Sequence, residues 1–228
     1  MSIYIFNKFF LVFLMLLFVS PAAAEEEEEE VKEKEITTSG WARVDHDRFG
    51  FAGTVGGVHK FNDTFGIISD VFFVQQQDIC DGDACSTVTF GEFDFGVAIE
   101  TPAIQTYPML GFGIAWEMPN QVVYVPQLYS YAAVDKFNFL LWNIYNIGGG
   151  FNTLLNRFNI TYQLHSMLGL GPQVELNADF NLGEVTYLPL GGRANIKYND
   201  RITLALFPAY DFIGETFAGR ISVIYNWQ

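Results

Sequence analysis

Phe158–Phe180 reads FNITYQLHSMLGLGPQVELNADF. In its first half Phe158, Ile160, Tyr162 and Leu164 are apolar or aromatic, and Asn159, Thr161, Gln163 and His165 between them are polar. After Ser166-Met167 the alternation resumes. Leu168, Leu170, Pro172, Val174, Leu176, Ala178 and Phe180 fall on one side, and Gly169, Gly171, Gln173, Glu175, Asn177 and Asp179 on the other. A period of two is the signature of a β-strand with one apolar and one polar face. A link of about two residues between two such runs predicts an antiparallel hairpin.

The same alternation extends outward from this hairpin. Ser86–Glu100, Gln105–Glu117, Val185–Tyr198, Arg201–Phe212 and the closing run from Phe217 all carry it. Phe49–Lys60 and Thr64–Gln76 are also strand candidates, and Ile36–Asp47 is a weak one with poor alternation. Gln121–Ile147 is apolar on both faces, divided at Asp135-Lys136, with Pro126 marking an irregularity. Two connections read as long: Gln77–Cys85, and Gly148–Asn156 with a helical turn at Leu154-Leu155. The links between them are short. Short turns on one rim and longer loops on the other suit a membrane barrel. So does a strand length of about 9–11 residues, enough to cross a bilayer when tilted. Aromatic residues near strand ends (Trp116, Tyr198, Tyr210, Tyr225, Trp227) fit interfacial girdles. The expected fold is all-β: a closed, up-and-down antiparallel transmembrane β-barrel of about twelve strands over 36–228. It falls to about ten if Gln121–Ile147 does not supply two spanning strands.

The ends of the chain add to this. Met1–Ala24 has the layout of a secretory signal peptide: Lys8, an apolar run Phe9–Val19, a break at Ser20-Pro21, then Ala22-Ala23-Ala24. Its eleven-residue apolar run is too short to span a bilayer as a helix. Glu25–Glu35 carries eight Glu and two Lys and is expected to be a disordered acidic tail. The whole chain has a formal charge of −14, which disfavours nucleic-acid binding, since phosphate contacts need a basic face. Cys80 and Cys85 are the two cysteines, and export would allow them to form a disulfide at a loop tip. No metal site or cofactor is expected.

From about Trp41 to its end the chain resembles Gram-negative outer-membrane β-barrel proteins of a small, porin-like kind. Members usually close with an alternating strand ending in an aromatic residue, which the barrel-assembly machinery reads. Arg220, Ser222, Tyr225 and Trp227 match its polar, small, aromatic and aromatic positions, with Ser222 where Gly is usual and Gln228 one residue beyond. The resemblance implies the outer membrane as location and its bilayer and assembly machinery as partners.

With the apolar face toward lipid, the lumen would carry Asp70, Glu92, Asp94, Glu100, Glu117, Glu175, Asp179, Arg193, Lys197, Asp211 and Arg220. Acids on early strands facing bases on late ones would orient small polar or charged solutes in a narrow channel. If these groups instead pair and fill the interior, the barrel is structural or plugged. A lipid-modifying enzyme would need a Ser and His together near the outer rim. His165 precedes Ser166, but adjacent residues of a strand point to opposite faces. His59 falls near the same rim as that turn, and His46 lies in the weakest strand. No triad is assembled, so no catalytic residues are expected.

Overall fold

The structure, a computed structural model, describes residues 37–48, 50–81, 84–115 and 122–227, with 76–81 and 84–88 by their backbone alone. The leader (1–24), the acidic run (25–35), Trp116 and Glu117 lie outside the described residues.

Strands follow one another in chain order: β1 (Thr38–Asp47), β2 (Gly50–Lys60), β3 (Phe65–Asp81), β4 (Ala84–Glu100), β5 (Ile104–Ala115), β6 (Val122–Val134) and β7 (Phe137–Gly148). They continue as β8 (Phe151–His165), β9 (Leu168–Asp179), β10 (Glu184–Tyr187), β11 (Pro189–Lys197), β12 (Ile202–Asp211) and β13 (Thr216–Trp227). Every pairing is antiparallel, and once β10 and β11 are counted as one stave (below), all but one join neighbours in sequence. The exception is β1 with β13, in register from Gly40 opposite Trp227 to Asp47 opposite Arg220, and it closes the sheet. β10 and β11 lie along the same edge of β9 and are two halves of one stave, so the wall has twelve strands.

The stave breaks at Leu188 for a visible reason. Its backbone N–H donates to Asp211 Oδ1 at 2.9 Å instead of to a ladder carbonyl. The same carboxylate accepts from the backbone of Ile213 at 3.2 Å and from Arg48 Nη2 at 2.7 Å. Arg48 also lies over the Tyr187 ring, 5.1 Å from its centroid. Asp211 is therefore a fully buried bolt at the rim, joining the β1–β2 turn, the strand break and the β12–β13 turn.

Two local expectations are overturned, and one is met. Gly148–Asn156 is not a long loop with a helical turn: β7 runs to Gly148 and β8 starts at Phe151, so only Gly149-Gly150 turn. Positive φ at Gly148, Gly149 and Gly150 lets the chain reverse there within the width of one hairpin. Gln77–Cys85 is not a loop either. β3 and β4 are both 17-residue strands that continue past their neighbours, with a register shift between Gln76 and Ile79 and Cys80 opposite Cys85. Gln121–Ile147 does form two strands, β6 and β7.

The faces are inverted relative to a soluble protein. Val55, Phe95, Phe112, Leu170 and Ile221 point out of the barrel, with Val55 54% exposed. Asp94, Arg157, Gln173 and Glu175 point in and are buried. Tyr198, Tyr210 and Tyr225 are exposed close to the strand ends. One part of the interior is apolar: Val58, Ile68, Ala98, Tyr107 and Met109 form a buried cluster near the end of the barrel that carries the 61–64 and 101–103 turns, with Trp41 and Tyr129 against it.

At the seam, Gly40 lies beneath the Trp227 indole: a Cβ on Gly40 would stand 2.4 Å from Trp227 Cζ2. The glycine is the vacancy that lets the last strand's aromatic ring cover the junction.

An arginine on the outer face is expected to be costly in a bilayer. Val55→Arg should lower the stability of the bilayer-folded barrel by about 2–4 kcal/mol, as denaturant titration of vesicle-reconstituted protein would measure.

Candidate functional site

The charged interior has two sectors. The first is acidic and lies on β3 and β4. Asp70 and Asp94 are directly opposite in the ladder, Glu92 is two residues before Asp94 on the same face, and neither Asp94 oxygen has a hydrogen-bond partner among the described residues. Asp94 is 0% exposed. The next strand makes room with glycine: Gly111 faces Asp94, and a Cβ there would fall 2.0 Å from Asp94 Oδ1 and 3.0 Å from Glu92 Oε1. Gln127 Nε2 donates to Glu92 Oε1 at 3.0 Å, and Trp142 Nε1 donates to Gln127 Oε1 at 2.9 Å. Among the described residues, none of these three carboxyls has an ion pair.

The second sector holds four guanidinium groups (Arg43, Arg157, Arg193, Arg220) and three carboxylates (Asp45, Asp47, Glu175). Glu175 is its hub. Its Oε1 lies 2.7 Å from Arg157 Nε and accepts from Arg220 Nη1 at 2.6 Å and Gln173 Nε2 at 2.7 Å. Arg157 faces Glu175 directly across the β8–β9 ladder, yet its Nε–H is not aimed along the short contact and is not hydrogen-bonded. The Arg157 guanidinium lies over the Trp142 ring, 5.2 Å from its centroid. A continuous chain of polar contacts therefore runs from Glu92 through Gln127 and Trp142 to Arg157 and Glu175.

Arg220 reaches Glu175 from β13, with β11 and β12 between, so this pair is a chord across the lumen. Its other nitrogens hold Asp47 Oδ2 at 2.9 and 3.2 Å. Arg43 pairs with Asp45 at 2.7 Å and reaches Ser222 Oγ at 3.4 Å. Arg193 donates to Gln173 Oε1 and Asn195 Oδ1, both at 2.8 Å.

Of the residues expected to face the lumen, Glu92, Asp94, Glu175, Arg193 and Arg220 are on the inward face within these sectors. Asp179 sits at the rim, where its Oδ1 accepts from the backbones of Asn181 and Leu182 and caps the β9–β10 turn. Lys197 is exposed at the end of β11. Glu117 lies outside the described residues. Glu100 pairs with Lys60 and accepts the Tyr107 hydroxyl proton at 2.7 Å. The sequence reading missed Arg43, Asp45, Asp47 and Arg157. Asp45 and Asp47 are two apart from Arg43 in β1, a period-two signal diluted by Trp41 on the same face. Arg157 was hidden by the assignment of the residues up to Asn156 to a loop.

One expectation about the histidines fails. His165 and Ser166 do touch, with Nδ1 and Oγ 3.3 Å apart, because His165 ends β8 and Ser166 already belongs to the turn, where the pleat no longer separates neighbouring side chains. Met167 N–H also points to that nitrogen at 3.3 Å. His46 bonds the Gly50 carbonyl and stacks on Phe51, and His59 bonds Thr38.

No protein-family model and no curated protein sequence matches the chain. Solved structures do. A KdgM porin in complex with disordered oligogalacturonate superposes with a TM-score of 0.56 at 14% identity, over 83% of this chain and 99% of that one. A NanC porin gives 0.50 at 10% identity, over 84% and 100%. The translocator domain of the autotransporter NalP from Neisseria meningitidis gives 0.50 at 11%, over 82% and 88%. At these identities the likeness is one of fold: the chain is a closed antiparallel barrel of the kind seen in Gram-negative outer-membrane porins.

Two substitutions test this interior. Glu175→Gln leaves Arg157 buried without its direct counter-charge and should cost about 3–5 kcal/mol of stability, read as a fall in the guanidinium unfolding midpoint. Gly111→Ala forces a methyl group into the Asp94 carboxyl and should cost about 1–3 kcal/mol in the same assay.

Proposed function

We propose that the chain is a narrow channel for small polar or charged solutes in the bacterial outer membrane, exported by its leader (1–24) and inserted through its C-terminal strand by the barrel-assembly machinery. The observation that carries this reading is the inversion of the barrel. An apolar belt faces outward, and charged groups in two opposed sectors face inward. A soluble barrel would expose that belt to water at great cost. A porin-like fold gives the same direction.

Within the arginine sector the charged residues most reached by water lie on one wall. Arg43, Asp45, Asp47 and Arg220, on β1 and β13, keep side-chain exposures of 13–16%. Glu175 opposite them keeps 3%. The path therefore runs along β1 and β13 and narrows at the Arg220–Glu175 chord. The acidic sector on β3–β4 and the arginine sector impose a transverse field that favours solutes carrying both charge signs. Lys197 marks one mouth. Cys80 and Cys85, opposite each other in the β3–β4 ladder, would be joined as a disulfide in the exported protein. No residue is assigned a catalytic role.

A barrel closed to solutes is the second reading. It is favoured by the apolar cluster around Tyr107 and Met109, which fills part of the interior near one end.

Single-channel recording in planar bilayers separates the two. Discrete conductance steps are expected from the purified folded protein. Arg220→Ala, which removes the chord and one positive charge, should raise the step size and shift selectivity toward cations. A folded protein that stays silent in both forms would leave the closed barrel as the answer.

A further inference from the structure

On the outer face of the barrel a pair of amides stands among apolar residues of β6–β9. Asn143 is the seventh residue of the twelve in β7, and Asn156 stands directly opposite it on β8. Both point outward. Their neighbours on either side along the strands, Trp142 and Arg157, face each other inside the barrel, and Phe158, two residues on from Asn156, is exposed on the outer face. The row continues outward as Leu128 on β6 and Leu176 on β9, with Leu141 and Phe158 below and Leu154 above. Two amides thus sit among leucines at the level where a membrane barrel meets hydrocarbon.

Asn156 Nδ2 donates to Asn143 Oδ1 at 2.6 Å. That bond leaves the Asn143 amino group and the Asn156 carbonyl without a protein partner among the described residues. Lipid tails offer neither a donor nor an acceptor, so both groups are costly there. Other outward polar pairs on this part of the wall are of a different kind: the Tyr145 hydroxyl donates to Asn152 Oδ1 at 2.6 Å nearer the 149–150 turn, and Thr106 and Ser130 share one hydrogen bond at 3.3 Å. The asparagine pair presents one donor group and one acceptor side by side, which a twofold axis would bring against its own complement.

We propose that the β6–β8 face is the contact surface for a second copy of this chain, in a twofold dimer. The Asn143 amino group of each copy donates to the Asn156 carbonyl of the other, within a collar formed by Leu128, Leu141, Leu154, Phe158 and Leu176. The same patch meets itself, as a closed twofold contact requires. Polar groups satisfied across a packed surface are what drives association where lipid removes the hydrophobic effect as a force between proteins. This inference rests on the membrane-barrel reading above.

The test uses the full chain reconstituted in phosphatidylcholine vesicles, with a photo-crosslinking benzoylphenylalanine in place of Leu128, or of Val55 on a distant strand as control. A crosslinked homodimer from position 128 and none from position 55 is expected. Asn143→Leu with Asn156→Leu in the same chain should weaken the dimer by about tenfold in dissociation constant, seen as a shift of the crosslinked fraction along a protein-to-lipid dilution series. Monomer alone at position 128, or a dimer untouched by the double leucine variant, overturns the proposal. Heat-modifiable migration on a gel is recorded on the same samples. A chain that lacks it overturns the membrane-barrel reading first and the dimer with it, whereas a heat-modifiable monomer overturns only the dimer.

Discussion

One carboxylate oxygen organises the interior. Glu175 Oε1 takes a guanidinium from the adjacent strand, a second from across the lumen and an amide from its own strand. In a barrel surrounded by lipid there is no bulk solvent outside to absorb an unbalanced charge, so inward charges must be answered inside. Glu175 answers two arginines, and Arg220 passes the constraint on to Asp47 at the seam. The first, eighth, ninth and last strands are thereby tied by side chains as well as by ladders. On the β3–β4 wall the arrangement is different. Three carboxyls gather there with amide and backbone neighbours, and glycine at Gly111 is what leaves them space.

Much of this architecture was legible in the sequence, and the exceptions have physical causes. Period-two alternation in Phe158–Phe180 fixed the β8–β9 hairpin because each inward residue there is polar or glycine and each outward one is apolar. The alternation failed where the code is broken locally. Around Leu155 and Asn156 the apolar residue faces in and the amide faces out, so the segment looked like a loop, and Arg157 just beyond it went unread as a partner of Glu175. In β1 the inward series Ser39, Trp41, Arg43, Asp45 and Asp47 mixes an aromatic ring with charges, and the outward series includes Gly40 and Ala42, which carry little hydrophobic signal. Asp211 was legible as an inward acid but not as a bolt, because the N–H of Leu188 is freed to it only by the break in the stave and Arg48 is brought to it only by closure of the wall.

The likeness to porin structures and to an autotransporter domain concerns the way a sheet of this size closes, at identities of 10–14%. On that frame the chain hangs its own chemistry. Two charged sectors share the lumen with a patch of ordinary apolar core, and Tyr107 belongs to both worlds: its ring packs against Met109 and stacks on Tyr129, while its hydroxyl serves Glu100. The interior therefore combines the packing of a soluble protein at one end with a charged wall elsewhere.

The seam where Trp227 covers Gly40 has a consequence for the order of folding. Every other ladder in the wall joins staves adjacent in the chain, and each can form as soon as its hairpin is made. The junction of β1 with β13 joins the two extremes of the folded sequence, and the loop entropy for it is the largest in the molecule. It should form last. The indole of Trp227 reaches its site over Gly40 only when that junction exists, so its fluorescence carries the time at which an open, curling sheet becomes a tube.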